Sequence, residues 1–211
     1  MKKSSIISLM TSFILLGGVL LFPAPQANAA KGEFSTYWDF NDIPDEYWDD
    51  EDQTDESDAD EESEEEQALI QARAELKTYF DQLSTLLSYE KKAVDSLHSI
   101  ASEGNTASRK SIYLKLANTV VPNFTKLVSK AKLITSSNPE IKRLHTHLVR
   151  GHYLQLEGYI LYKQAFSRNK VNLKTLQQGN AKVDAGRALV EQSTESLYNY
   201  AVEIGYESSS Q

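Results

Sequence analysis

From residue 69 onward, apolar side chains return every seven positions. Leu69, Leu76, Leu83, Glu90 and Leu97 form one row. Beside it run Ala72, Tyr79 or Phe80, Leu86 or Leu87, Ala93 or Val94, and Ile100 or Ala101. A stripe of this kind on an otherwise polar segment predicts an amphipathic helix that packs at a shallow angle against others. Ser63-Glu64-Glu65-Glu66 has the S-x-x-E form of a capping box and opens the helix, with its acids facing the positive end of the helix dipole. Gly104-Asn105 closes it.

Thr106 or Ser108 caps a second helix, whose stripe is Ile112, Leu116, Val120, Phe124, Leu127, Ala131 and Ile134. Pro122 lies in its middle, removes one helical hydrogen bond and predicts a kink near Asn118 to Pro122. Ser136-Ser137-Asn138-Pro139 ends this helix and starts a third, with Asn138 as cap and Pro139 in the first helical position. The third helix buries Ile141, Leu144, Leu148, Tyr159, Tyr162 and Phe166. After a turn at Asn169 to Asn172, the fourth carries Leu176, Val183, Val190, Leu197 and Ile204 at strict sevens until Gly205. No strand or nucleotide-loop pattern competes. The expected fold is all-α: an antiparallel up-down-up-down four-helix bundle over residues 63–211, its helices roughly 30 to 40 residues long and joined by short loops.

Two rows of small residues run along helices three and four: Gly151, Gly158 and Ala165, and Gly179, Gly186 and Ser193. Glycine costs about 1 kcal/mol relative to alanine inside a helix, so the rows need a reason. Close approach of the two helices is one. A ligand slot left by the missing side chains is the other.

The first 62 residues have a different pattern. Lys2 and Lys3, the apolar run Ile6 to Phe22, and Pro23-Ala-Pro-Gln-Ala27-Asn28-Ala29 read as a signal peptide over 1–29, cleaved after Ala29. The alternative is an uncleaved membrane anchor facing outward, because the run is close to the lower limit for a spanning helix. Residues 30–62 form an acidic and aromatic leader. Both tryptophans fall in FSTYWDFNDIPDEYWDD, and Tyr-Trp-Asp occurs twice, so Tyr37, Trp38, Tyr47 and Trp48 are candidate partner residues. These rings either pack on the chain's own domain or dock on a partner. Asp50 to Glu62 has no Leu, Ile, Val, Phe, Tyr or Trp to offset the roughly 1 to 2 kcal/mol per residue that ordering costs, and is expected to be solvated coil. It lacks the acid spacing and central glycine of an EF-hand loop.

Charge sharpens this division. Residues 31–66 hold eighteen Asp and Glu against Lys31 alone, whereas residues 67–211 hold nineteen Lys and Arg against twelve acids. A modestly basic domain thus follows a strongly acidic leader, a sign of self-interaction or of an interaction tail. The chain has no cysteine, which excludes disulfides, lipoprotein attachment, thiol catalysis and Cys-ligated metals.

Candidate site chemistry is confined to polar residues near the small-residue seam: His145, His152, Gln155, Asn180 and Arg187. His145 and His152, seven apart, share a helix face, but neither a Glu-x-x-His pair nor H-E-x-x-H is present. Hydrogen-bonded core histidines are the expectation, with no metal and no cofactor. No nucleophile elbow accompanies the serines, and the carboxylates of the domain are scattered, so no catalysis is expected. Gly151-His152-Tyr153-Leu154-Gln155 resembles the Gly-x-His-x-x-Glu of imelysin-type helical proteins, with a different spacing and with Gln155 where the carboxylate would stand.

The Lys2-Lys3 signal, the acidic aromatic leader and PNFTKLVSKAKLITSSNPEIKRLH together resemble exported helical proteins of Bacillus-like Gram-positive bacteria. The resemblance implies a compartment and a helical fold, and no activity. The expected function is a non-catalytic interaction module, secreted or held in the cell wall, whose partner is an envelope protein or an anionic wall polymer. Neither nucleic acid nor, after signal cleavage, a membrane is the expected partner. The alternative is a carrier of a small molecule or metal between helices three and four. N-terminal sequencing of the exported protein should give Ala30 as the first residue; intact Met1 to Phe22 on a membrane-bound majority would establish the anchor instead.

Overall fold

The structure, a computed structural model, describes residues 61–103 and 107–206, with no side chain described for 61–63. The signal at 1–29, nearly all of the leader, Tyr37, Trp38, Tyr47, Trp48 and the Gly104-Asn105 stop lie outside the described residues. Within them the chain is helical, with no strand: α1 Glu61–Ser84, α2 Leu87–Glu103, α3 Arg109–Lys115, a π-helical segment Leu116–Val120, α4 Val121–Ala131, α5 Pro139–Phe166 and α6 Leu173–Glu203. No helix among the described residues is long and apolar enough to cross a membrane.

Side-chain caps set three of the starts. Ser108 accepts from Ser111 N at 3.0 Å, Asn138 from Ile141 N at 3.0 Å and Asn172 from Thr175 N at 3.1 Å, each satisfying an N–H that the first turn leaves orphaned. Asn138 also donates from Nδ2 to Tyr200 Oη at 2.7 Å, tying the start of α5 to the last turns of α6. At the far end Gly205 adopts φ +62°, the left-handed conformation that ends a helix at low cost for glycine.

The first helix differs from its expected form in three respects. α1 already includes Glu61 and Glu62, which puts Ser63 inside the first turn and not at the cap. Leu69, read as core, is 39 % exposed and Ile70 is more so; the row becomes buried at Leu76. The reason is length: Arg73 Nε bonds to Ile204 O at the end of α6, so the turns before Arg73 run past the helix that would cover them. Finally, the helix is interrupted at Thr85–Leu86. Ser84 and Thr85 hydroxyls donate to Asp81 O and Gln82 O, and Leu86 N reaches only three residues back, to Leu83 O at 2.9 Å. Serine and threonine that bond back to the preceding turn compete with the helical ladder in this way. The apolar row nevertheless continues across the break, with Leu83, Leu86, Glu90 and Leu97 all buried.

At Pro122, where a kink is expected, the chain instead forms the π segment. Val121 N–H bonds to Leu116 O, five residues back, and Pro122 then falls in the first turn of α4, where its missing N–H costs least. Asn123 Nδ2 donates to Thr119 O at 2.7 Å, serving a carbonyl of the widened turn. The stripe Ile112, Leu116, Val120, Phe124, Leu127 and Ala131 stays buried throughout.

The core lies in two blocks. One gathers Leu76, Tyr79, Leu83, Ile141, Leu144, Leu148, Val190, Leu197 and Ile204 from α1, α5 and α6. The other gathers Ala93, Leu97, Leu116, Phe124, Tyr159, Tyr162 and Val183 from α2 through α6. α5 and α6 hold both blocks together along the glycine rows. A Cβ on Gly151 would meet Gly186 O at 2.9 Å, and one on Gly158 would meet Gly179 O at 2.8 Å; the rising numbers of one helix face the falling numbers of the other. Leucine at Gly158 or Gly186 should therefore lower stability by about 1 to 3 kcal/mol through overpacking. Urea midpoints report the loss; variants that unfold like the parent would mean that the two backbones separate freely.

Candidate functional site

The polar residues singled out along the chain are carried mainly by α5 and α6 and separate into small, locally satisfied sets. His145, half-buried, bridges three helices. Its Nε2 lies 3.0 Å from Ala131 O at the end of α4, and its Nδ1 3.0 Å from Tyr79 Oη of α1. A carbonyl can only accept, so Nε2–H donates to it, and in the neutral imidazole Nδ1 accepts the tyrosine proton. Burial depresses its pKa, opposed by the bond to Ala131 O.

His152 is fully enclosed one heptad later. Nδ1 donates to Gln155 Oε1 at 3.1 Å, and the Phe124 ring stands edge-on at 6.3 Å. Burial pushes its pKa down to about 4, the bond to Gln155 opposing the shift. Gln155 is fixed by the glycine row, because its Cγ and N occupy the place where a Gly186 side chain would sit. Asn180 Oδ1 accepts from Tyr162 Oη at 2.7 Å, while the Tyr162 ring fills the space over Gly179. Arg187 pairs on its own helix with Asp184 at 3.0 Å and Glu191 at 3.9 Å.

The five residues therefore form no single constellation. His152 and Gln155 are joined, Asn180 is joined to Tyr162, and His145 is tied to Tyr79 and Ala131. Among the described residues, no three His, Asp or Glu side chains converge as metal ligands would. At the four glycines of the small-residue rows, Val190, Val183, Tyr162 and Gln155 fill the space that the missing side chains leave. A shallow recess of about 230 Å³ opens elsewhere, between α1 and the segment before α5, lined by Gln71, Glu75, Thr78, Tyr79 and Ser137. Ser137 Oγ and Gln71 Nε2 both donate to Glu75 Oε1 there, at 2.8 and 3.1 Å.

One residue of chemical interest stands in the heptad row itself. Glu90 stands where its neighbours in the row are leucines, and it is buried at 2 % exposure. Its Oε2 has no hydrogen-bond partner, and burial pushes its pKa up to about 8. The signal was legible: an acid in an apolar register. Tyr159, buried beside Phe124 at 4.7 Å between ring centres, lies within the electrostatic reach of both Glu90 and Arg187.

Helical packing, glycine rows in close contact and, Glu90 apart, paired buried polar groups define a helical protein over the described residues. A scan of protein-family models, a search of curated proteins and a search of solved structures return no match to the chain.

The His152 shift sets a pH dependence. Its folded pKa, about 4, lies below the ordinary value near 6.5, so the unfolded chain binds the proton more readily. The stability this contributes is present above about pH 6.5 and is lost as pH falls through about 4, a total of about 3 kcal/mol. Denaturant titrations at pH 7, 5.5 and 4 should show this decline in the parent and a flatter profile in His152→Gln, whatever the variant's stability at pH 7. Parallel profiles would mean that His152 is protonated without cost.

Proposed function

We propose that the protein is an exported, non-catalytic interaction module of a Gram-positive cell envelope or its medium. It would consist of a signal over 1–29, an acidic aromatic leader, and a basic antiparallel up-down-up-down four-helix bundle that binds an envelope protein or an anionic wall polymer. The observation that carries the reading is the charge division within one chain: eighteen acids against Lys31 in residues 31–66, and nineteen bases against twelve acids thereafter. Several contacts support the bundle topology. Tyr79 with His145 and Glu75 with Ser137 align α1 with α5, and Arg73 with Ile204 sets α1 against α6. Lys130 over Tyr89, and Lys115 with Ser99 and Glu103, run α2 against the α3–α4 segment.

A closed interior favours a function at the surface. Lys126, Lys130, Lys142 and Arg150 are exposed on α4 and α5, with no carboxylate within ion-pair distance among the described residues. They offer a basic face to a polyanion. The leader is a tethered competitor for it: tethering gives roughly millimolar effective concentration, while each surface ion pair is worth about 0 to 1 kcal/mol. Cover of this kind is diffuse and reversible, and salt weakens it because the screening length is about 8 Å at physiological ionic strength.

Binding of the mature protein and of a version beginning at Ser63 to a teichoic-acid-like polyanion, across a salt series, tests both parts. The shortened protein should bind more tightly, most clearly at low salt. Equal affinities and salt slopes would reduce the leader to a solubilising spacer, and no binding by either form would remove the polyanion as partner.

A further inference from the structure

Glu90 follows the Thr85–Leu86 break by one turn and points into the core with an unpartnered oxygen. An ionised carboxylate in such a place lacks the hydration and the pairing it needs, and the neutral acid is far less costly to bury. The charged and titratable groups of its own helix and of the helices α4, α5 and α6 do not pair with it. On its own helix Lys91 pairs with Asp95 in solvent. From α4, Lys126 and Lys130 are exposed, Lys130 lying over the Tyr89 ring. From α5 come Tyr159, Tyr162 and His152, with burial raising the two phenols and lowering the imidazole, so all three are neutral near pH 7. From α6, Arg187 is held by Asp184 and Glu191.

Two neighbouring features differ in how readily they yield. The turn at Thr85–Leu86 is closed by three-residue bonds, Thr85 N to Gln82 O and Leu86 N to Leu83 O, and makes a ready pivot. α5 and α6, in contrast, are interlocked backbone to backbone along their glycines. We propose that Glu90 is a proton-operated latch: with its proton α2 stays closed on the α3–α4 segment, and on losing it α2 swings out about Thr85–Leu86 and bares the stripe Leu116, Val120, Phe124 and Leu127. The device is independent of what the basic surface binds.

The sign follows from linkage. The closed-state pKa, about 8, is raised above the solvated value near 4.3, so closure is fully supported below about pH 4.3 and loses that support as pH rises through about 8. The closed-to-open ratio changes by up to about tenfold per pH unit in this window. Between pH 6.5 and 8 His152, pushed down to about 4, adds nothing to the slope, and burial lowers His145 as well.

Hydrogen exchange on the full chain at pH 6.5, 7.25 and 8, corrected for intrinsic rates, tests the latch. In the parent, protection over residues 87–103 should fall by up to about tenfold per pH unit while α5 and α6 keep theirs, and in Glu90→Gln it should stay level. Protection of α2 that is flat in the parent, that falls equally in Glu90→Gln, or that falls together with α5 and α6 would overturn the proposal. Should Glu90→Gln not fold, carboxyl titration of the parent by carbon-13 NMR decides: a glutamate titrating near pH 8 supports the latch, and titration of every glutamate below pH 6 overturns it.

Discussion

The contact between the backbones of α5 and α6 sets the terms for the rest of the fold. At Gly151, Gly158, Gly179 and Gly186 an added Cβ would lie within 3 Å of atoms on the other helix, including the carbonyl oxygens of Gly186 and Gly179. Such an approach permits one register. With that register fixed, Val183 and Val190 enter the gaps opposite Gly158 and Gly151, the Tyr162 ring covers Gly179 and Gln155 covers Gly186. The pair then presents a continuous wall of Leu144, Leu148, Tyr159, Leu197 and their neighbours on which α1, α2 and α4 pack. The entropic penalty of glycine within a helix is offset by this contact.

The same register explains why the interior polar groups act as fasteners. Tyr162 reaches Asn180 with its ring filling the space beside Gly179, and His152 meets Gln155 where that side chain is held on Gly186. His145 secures a helix end, taking the Ala131 carbonyl and the Tyr79 hydroxyl together. Each of these side chains has at least one polar atom committed to the fold. Paired buried polar atoms cost little, whereas unpairing one exposes the full desolvation penalty.

Glu90 departs from that rule, and its place in the molecule gives the departure meaning. It belongs to the half of the first helical segment beyond the Thr85–Leu86 turn, which packs on the π segment and α4 and shares a core block with α5 and α6. The proposed latch sets a half specified by backbone contact beside a half whose closure depends on one carboxyl remaining neutral. Ionisation there acts on the weaker side.

Much of this was written in the sequence. The seven-residue rows gave the helical class and most buried positions, because burial of one helix face imposes its period directly on the residues. Asn138 with Pro139, and Thr106 or Ser108, marked helix starts, since capping depends on a few adjacent atoms; the cap at Asn172 lies in a segment that reads only as a turn. The spacing of Gly151, Gly158, Gly179 and Gly186 announced a close approach without saying which atoms would fill it. Other features depended on distant parts of the chain. Leu69 follows the apolar period but lies beyond the end of α6, a matter of where another helix stops. The break at Thr85–Leu86 arises from hydroxyls that choose between solvent and the preceding carbonyls, and Pro122 is accommodated by a π turn in place of a bend. His145 and His152 share a face in one dimension, yet three-dimensional packing gave them separate partners. Glu90 was visible as an acid in an apolar row, but that its oxygen has no partner is decided only when every neighbouring helix is in place. Periodicity and caps are local and can be read from the chain; the pairing of a buried polar atom depends on everything packed around it.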